Sequence, residues 1–264
     1  MPSAVDFVAG SRMPALFVGH GSPMNALEDN AFTRGWQDAA KRIPRPRAIV
    51  CVSAHWETRG VYVGGTPTPE TIHDFYGFPK ALFDVRYPAP GDPALARQIT
   101  QTVKSAKVHI DPGRGIDHGV WSVLHIMYPQ ADIPVLQLSL DSAQPGAFHY
   151  ALGQELAPLR DDGVLVVGSG NIVHNLRLFD FHATQPADWA ARADALLRAH
   201  IESGDHERLM DWTSLGPEVA LGIPTPEHYL PLLYVLALRG DGEPLRIFNT
   251  SVISAISMSC VQVG

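Results

Sequence analysis

The pattern of the chain predicts an α/β fold, a three-layer α/β/α domain on a central mixed, largely parallel sheet. Three observations predict it. Short continuous apolar runs rich in Val and Ile recur along the 264 residues, and such runs read as strands buried on both faces. Amphipathic helical segments alternate with them, which places helices over both faces of one sheet. The tail alternates apolar and polar residues as antiparallel strands do, so the sheet is mixed.

Taken in order, Ala15–Val18 is the first apolar run, and it stops at Gly19-His20-Gly21-Ser22-Pro23. Ala48–Ala54 is a second, stronger run that ends at His55-Trp56. From Asp92 to Val103 the spacing predicts a helix: Leu95, Ile99 and Val103 recur every fourth residue, Asp92 is placed to cap and Pro93 sits in the first turn. Trp121–Tyr128 reads as a short helix and Pro134–Leu140 as a strand. Ala147–Leu159 reads as one amphipathic helix, with Gly163 as its stop. Val164–Val167 is a strand that breaks into Gly168-Ser169-Gly170-Asn171, and Ala187–Ile201 is helical. Thr225-Pro226-Glu227-His228 opens a helix over Tyr229–Leu238, with Thr225 as its cap. Leu245–Phe248 and Ser257–Val263 are the alternating terminal strands. No repeat, low-complexity tract or linker interrupts this order, so residues 1–264 read as a single catalytic domain, with residues 1–12 as a flexible N-terminal segment.

Composition excludes several classes. A net charge of −7 with no basic run argues against nucleic acid, because phosphate recognition needs clustered Lys and Arg. Cys51 and Cys260 each lie in an apolar, strand-like run and read as buried reduced thiols. Met1–Arg12 has no apolar core of a signal peptide, and no apolar stretch reaches the roughly 18 residues of a membrane span. The expected setting is cytoplasmic, with no membrane partner; the oligomeric state is left open.

Ligands of open α/β sheets bind beyond the carboxyl ends of the strands. Three histidines fall there: His20, His55 and, just past the Gly168–Gly170 break, His174. A fourth, His228, sits where Pro224-Thr225-Pro226 leads into a helix. Imidazole is the commonest ligand of zinc and non-haem iron. No HExxH or HxH pair puts two ligands on one element, so such a site has to be assembled from distant segments. Singly, each of the twelve histidines is more simply a loop or core residue; three at strand ends together favour a metal. Two enzyme alternatives are weaker. A serine hydrolase needs G-x-S-x-G, and Gly168-Ser169-Gly170 lacks the first glycine at that offset. A dinucleotide fold needs G-x-G-x-x-G, and Gly19-His20-Gly21-Ser22-Pro23-Met24 fails at its last position. A metal-dependent or serine hydrolase, or a non-catalytic binding protein on the same scaffold, remains an alternative.

Five stretches in this order, from about Met13 to the C-terminus, resemble the 4,5-DOPA extradiol dioxygenase family, within the protocatechuate-4,5-dioxygenase-like enzymes and nearer its bacterial than its plant branch. They are Gly19-His20-Gly21-Ser22-Pro23-Met24-Asn25, Ser53-Ala54-His55-Trp56, Asp117-His118-Gly119-Val120-Trp121, Gly168-Ser169-Gly170-Asn171-Ile172-Val173-His174-Asn175 and Pro224-Thr225-Pro226-Glu227-His228-Tyr229-Leu230-Pro231. The resemblance implies ring opening of a small catechol, DOPA-like, with O₂. It implies one divalent metal per chain, Fe(II) for activity and Zn(II) as the ion carried on isolation. His20, His55 and His228 are implied as ligands, His174 as a fourth ligand or an adjacent base, and His118 as an acid–base residue. Protocatechuate-type relatives use two histidines and a glutamate, which makes Glu227 the rival of His228. Neighbours on a helix point about 100° apart, so only one of the two can face a single ion.

Overall fold

The structure is a computed structural model that describes residues 12–264; of the N-terminal segment read above, only Arg12 lies among them. Ten strands and ten helices follow in the order β1 (Ala15–Gly19), α1 (Ala31–Arg42), β2 (Ala48–Thr58), β3 (Val61–Gly64), α2 (Lys80–Phe83), α3 (Pro93–Thr102), β4 (Val108–Asp111), α4 (His118–Met127), β5 (Val135–Asp141), α5 (Gly146–Glu155), α6 (Ala157–Asp161), β6 (Val164–Gly170), α7 (Asp188–Ser203), α8 (His206–Met210), α9 (Pro217–Gly222), α10 (Leu230–Ala237), β7 (Leu245–Phe248), β8 (Val252–Ile253), β9 (Ile256–Ser257) and β10 (Cys260–Val263).

Eight strands form one sheet in the order β4-β3-β5-β2-β6-β1-β10-β7, while β8 and β9 form a separate small ribbon. The four central strands run parallel, and antiparallel pairing enters at β3 on one side and at β10 and β7 on the other. Apolar residues on the central strands alternate between two cores. Phe17, Val50 and Val166 face α5, α7 and α10, whereas Leu16, Cys51 and Val167 face α1 and α4. This is the expected three-layer, largely parallel arrangement. It makes the central strands apolar on both faces, hence their continuous runs.

Several boundaries differ from the sequence reading, each for a local reason. β2 continues past Ala54 to Thr58, because its register against β5 shifts between Val52 and Glu57; His55 therefore lies within the strand. β6 runs through Gly168-Ser169-Gly170 without breaking. The helix read over Ala147–Leu159 is two, α5 and α6, parting at Leu156. Pro158 has no N–H to continue a ladder, and it takes a first-turn position in α6 instead. α4 begins at His118, three residues before the expected start. α10 begins only at Leu230, so His228 stands in the turn before it, and Thr225 caps nothing: its hydroxyl donates to Glu227. The terminal strand is Cys260–Val263, since Ile256–Ser257 pairs with β8. The short strands β3 and β4 carried no strong period, and α1 went unread although Phe32, Trp36, Ala39 and Ala40 recur at helical spacing and Asn30 caps it.

Candidate metal centre

β6 lies between β1 and β2, all three parallel, so their carboxyl ends open at one edge of the sheet. His20 is the first residue past β1, and its backbone N–H donates to Gly170 O at 3.0 Å. His55 is carried on the extension of β2. His228 is laid against β6 from the opposite face, where its carbonyl accepts from the Asn171 N–H at 2.8 Å. The Gly-Ser-Gly of β6 makes this possible. A Cβ on Gly170 would overlap the His228 carbonyl, and one on Gly168 the Pro231 carbonyl, so glycine lets the approach to α10 sit directly on the strand. Ser169, pointing to the other face, meets His20. Gly119 plays the same part in α4, where a Cβ would lie 2.6 Å from the His55 ring.

Hydrogen bonds fix which nitrogen of His20 and of His228 is free. Ser169 Oγ donates its one proton to Gly119 O at 2.5 Å, so it can only accept from His20 Nδ1, 2.9 Å away. His20 Nδ1 carries the proton and Nε2 is a lone pair. His228 Nδ1 lies 3.0 Å from Glu227 Oε1, a carboxylate that only accepts, which leaves His228 Nε2 free as well. His55 Nδ1 faces Asp74 Oδ2 at 3.7 Å, and its Nε2 lies 3.2 Å from His20 Nε2. Burial, followed by the neighbouring imidazoles, pushes His20 and His228 well below the usual histidine range. Burial also leads in lowering His55 to about 4, joined by His118 and opposed by Asp117, Asp74 and Glu227. All three rings are thus neutral at pH 7.

Three lone pairs directed into one buried space repel one another unless a cation sits between them. The donor atoms of His20, His55 and His228 all lie within 4.8 Å of one another. Two nitrogens each about 2.1 Å from one ion and about 90–110° apart stand about 3.0–3.4 Å from each other, which matches the 3.2 Å between His20 and His55. The residues therefore fit a divalent ion.

The other two expected residues join the same cluster in different positions. His174 stacks flat on His228, with centroids 3.5 Å apart and planes 12° apart, and its donor atom groups with those of Glu227 and His228, not with His20 and His55. An ion in the plane of one stacked ring lies well out of the plane of the other. Burial lowers His174 to about 4, against the pull of Glu227. His118, the first residue of α4, has its centroid 4.0 Å from that of His55 and 6.0 Å from that of His20. Its Nδ1 lies 2.9 Å from Asp74 Oδ1. Burial alone would raise the Asp74 carboxyl, but contact with His118 and proximity to His55 outweigh it and hold the group down to about 2.

Sequence reasoning missed Asp74 and Ser169, and gave Asp117 no role beyond its place in a motif. Asp117 is fully buried: Oδ1 accepts from Ser53 at 2.8 Å, and Oδ2 accepts from Arg114 and from Gln137, both at 2.5 Å. Ser53 Oγ in turn accepts the His55 N–H at 3.2 Å, so this network braces the β2 extension. Asp74 lies in a loop without periodicity, where no spacing signals it. Beside the cluster is a pocket of about 200 Å³ lined by His174, Asn175, Leu176, Arg177, Pro224, Thr225 and Glu227. Arg177 makes no ion pair among the described residues.

Comparison with known proteins bears on this geometry. Residues 13–260 match the family described as the catalytic LigB subunit of aromatic ring-opening dioxygenase. The chain is 49% identical over 269 residues to a 4,5-DOPA dioxygenase extradiol of Escherichia coli K12, spanning 100% of this chain and 99% of that protein. It is 38% identical over 242 residues to the enzyme of the same name from Beta vulgaris, covering 89% and 90%. The crystal structure of an uncharacterised Escherichia coli K12 protein superposes with a TM-score of 0.84 at 44% identity, covering 96% of this chain and all of that one. Matched by the family from the start of β1 almost to its last strand, the chain belongs to the LigB family of aromatic ring-opening dioxygenases and is a ring-cleaving enzyme of that class.

Proposed function

We propose that the chain is an extradiol dioxygenase working as a single catalytic domain on a small catechol, with His20, His55 and His228 holding one divalent ion. The observation that carries this reading is the convergence of one ring nitrogen each from His20, His55 and His228 in one buried space. Iron(II) bound there would supply the redox step and a meeting point for ring and O₂; zinc binds the same donors but supplies no redox step. The protein's own groups do the rest. Glu227 and Ser169 hold the outer nitrogens of His228 and His20, which fixes their direction, and Asp74 faces that of His55 at 3.7 Å. His118 and His174 flank the ion as acid–base residues, one on the side of α4 and one stacked over His228, and they take and return the hydroxyl proton of the catechol. The stacking supports His174 as a base rather than a fourth ligand, and the Glu227 contact supports His228 over Glu227 as the third.

The DOPA named in the relatives carries a carboxylate as well as the catechol. In this reading Arg177, unpaired in the pocket beside His174, receives that carboxylate. The cytoplasmic setting belongs to the same proposal; no described helix is long and apolar enough to cross a membrane. The test is anaerobic reconstitution with Fe(II) or Zn(II), then O₂ uptake across a catechol panel. The Fe(II) protein consumes O₂ and gives a yellow ring-opened product, whereas the Zn(II) protein does neither. Equal turnover by the zinc form would instead point to hydrolysis.

A further inference from the structure

We infer that Asp74 is a positioning residue for ring opening, a single carboxylate that orients the acid–base imidazole of His118 and the ligand imidazole of His55 together. Asp74 Oδ1 accepts the backbone N–H of His118 at 3.0 Å and lies 2.9 Å from His118 Nδ1. Its other oxygen faces His55 Nδ1 at 3.7 Å. His118 Nδ1 is buried and has no aligned hydrogen-bond acceptor within the described residues, so Asp74 is the acceptor at hand. A carboxylate there keeps the proton on Nδ1 and leaves Nε2 of His118 as the atom that exchanges protons.

The Asp74 side chain is 27% exposed, as many surface acids are; its loop distinguishes it from them. The N–H of Ile72 donates to Ile116 O at 2.8 Å, and the Trp121 ring N–H donates to Ile72 O at 2.7 Å. Also before Asp74, His73 Nε2 contacts Val85 O at 3.0 Å, and just after it the Phe75 ring meets the His118 ring edge-on with centroids 5.5 Å apart. The loop is therefore pinned to α4 before and after Asp74, and the carboxylate is held in place. Its two oxygens thus face different rings, Oδ1 that of His118 and Oδ2 that of His55.

The inference rests on the acid–base reading of His118, and the experiment separates the two. Asp74→Ala, His118→Ala and the double variant are compared in the Fe(II) protein, with folding checked by circular dichroism. Asp74→Ala lowers kcat by about 10–100-fold and moves KM by less than about 3-fold, the range for removing an outer-shell partner. In the His118→Ala background, at saturating Fe(II), the same change costs less than about 3-fold, because only the His55 contact is left and that contact acts on metal affinity. Asp74→Asn, which keeps an accepting oxygen, recovers part of the loss and also serves if the alanine variant does not fold. Without substrate, Asp74→Ala weakens Zn(II) binding through His55, and ¹⁵N spectra of the Zn(II) protein show His118 passing from the Nδ1–H tautomer to a mixture. Multiplicative losses in the double variant, or an unchanged His118 tautomer in Asp74→Ala, overturn the inference. Wild-type kcat in His118→Ala overturns the acid–base reading instead, and the tautomer and Zn(II) measurements then judge Asp74 alone.

Discussion

His20 and His228 each have one nitrogen already committed, and the centre can be tested residue by residue. His20→Ala or His55→Ala removes a donor atom, so stoichiometric metal is lost while the fold persists; His125→Ala, outside the cluster, keeps its metal. His228→Ala loses the metal too. Glu227→Gln only weakens binding, by about 10–100-fold, because it acts through His228 Nδ1. Ser169→Ala has the same signature at His20 and additionally leaves Gly119 O without its donor, a cost of about 1–3 kcal/mol in stability. Metal analysis of the purified variants decides each case, and metal retained in His228→Ala but lost in Glu227→Gln would exchange their roles. At Arg177, replacement by Ala raises KM for a carboxylate-bearing catechol about tenfold and leaves KM for its decarboxylated amine nearly unchanged, since about 1.4 kcal/mol corresponds to tenfold. An equal rise for both substrates would remove Arg177 from substrate recognition. His20, His55 and His228 could be picked out in the sequence because they fall at ends of apolar runs or beside proline turns. Asp74 could not, since loop packing alone brings it to His118.

The elements explain why the ligand positions are so constrained. In sequence, Gly168-Ser169-Gly170 looks like the end of a strand, because glycine is a poor strand residue. In the structure it is the most informative part of β6: two glycines seat the approach to α10 on one face and the serine holds His20 on the other. The extension of β2 was hidden for a related reason. His55 lies within a register shift, and the buried Ser53–Asp117 contact that braces it crosses 64 positions in sequence. Regular periods made α3 and α7 readable, while β3 and β4, four residues each, were too short to show one. Gly170→Ala is expected to displace His228 from β6 and lose the metal without unfolding the sheet. Gly119→Ala pushes α4 from the His55 ring and weakens metal affinity. Thermal melts together with metal content check both; a Gly170→Ala protein with full metal would show that the turn before α10 can move and still ligate.

At the scale of the whole molecule the proposed ligands come from positions 20, 55 and 228, so only the folded topology brings them together. The alternation of runs and helices foretold that topology, and the rule that sites form beyond strand ends pointed to its edge. A metal bound to the folded state alone stabilises it, by about 4 kcal/mol when free metal stands at a thousand times its dissociation constant. In a protein of this size each kcal/mol is worth about 2–4 °C, so chelation should lower Tm by roughly 8–16 °C in a single transition. The effect has a pH dependence of definite sign. His55 and His174 are lowered to about 4 in the folded chain, with His20 and His228 also well below the ordinary value of 6.5. Above pH 6.5 these rings are neutral folded or unfolded, and stability is undiminished. As pH falls from 6.5 towards 4, the unfolded chain takes up protons that the folded chain does not, so the metal-free protein loses stability across that window. The metal's own contribution follows the folded-state values instead, because protons compete for the ligand nitrogens only where the folded rings take them up. The Tm difference between loaded and chelated protein should therefore hold from neutral pH to about pH 5 and collapse as pH falls through about 4. A difference that persists well below about pH 4 would mean that the stabilising ion is not held by histidines.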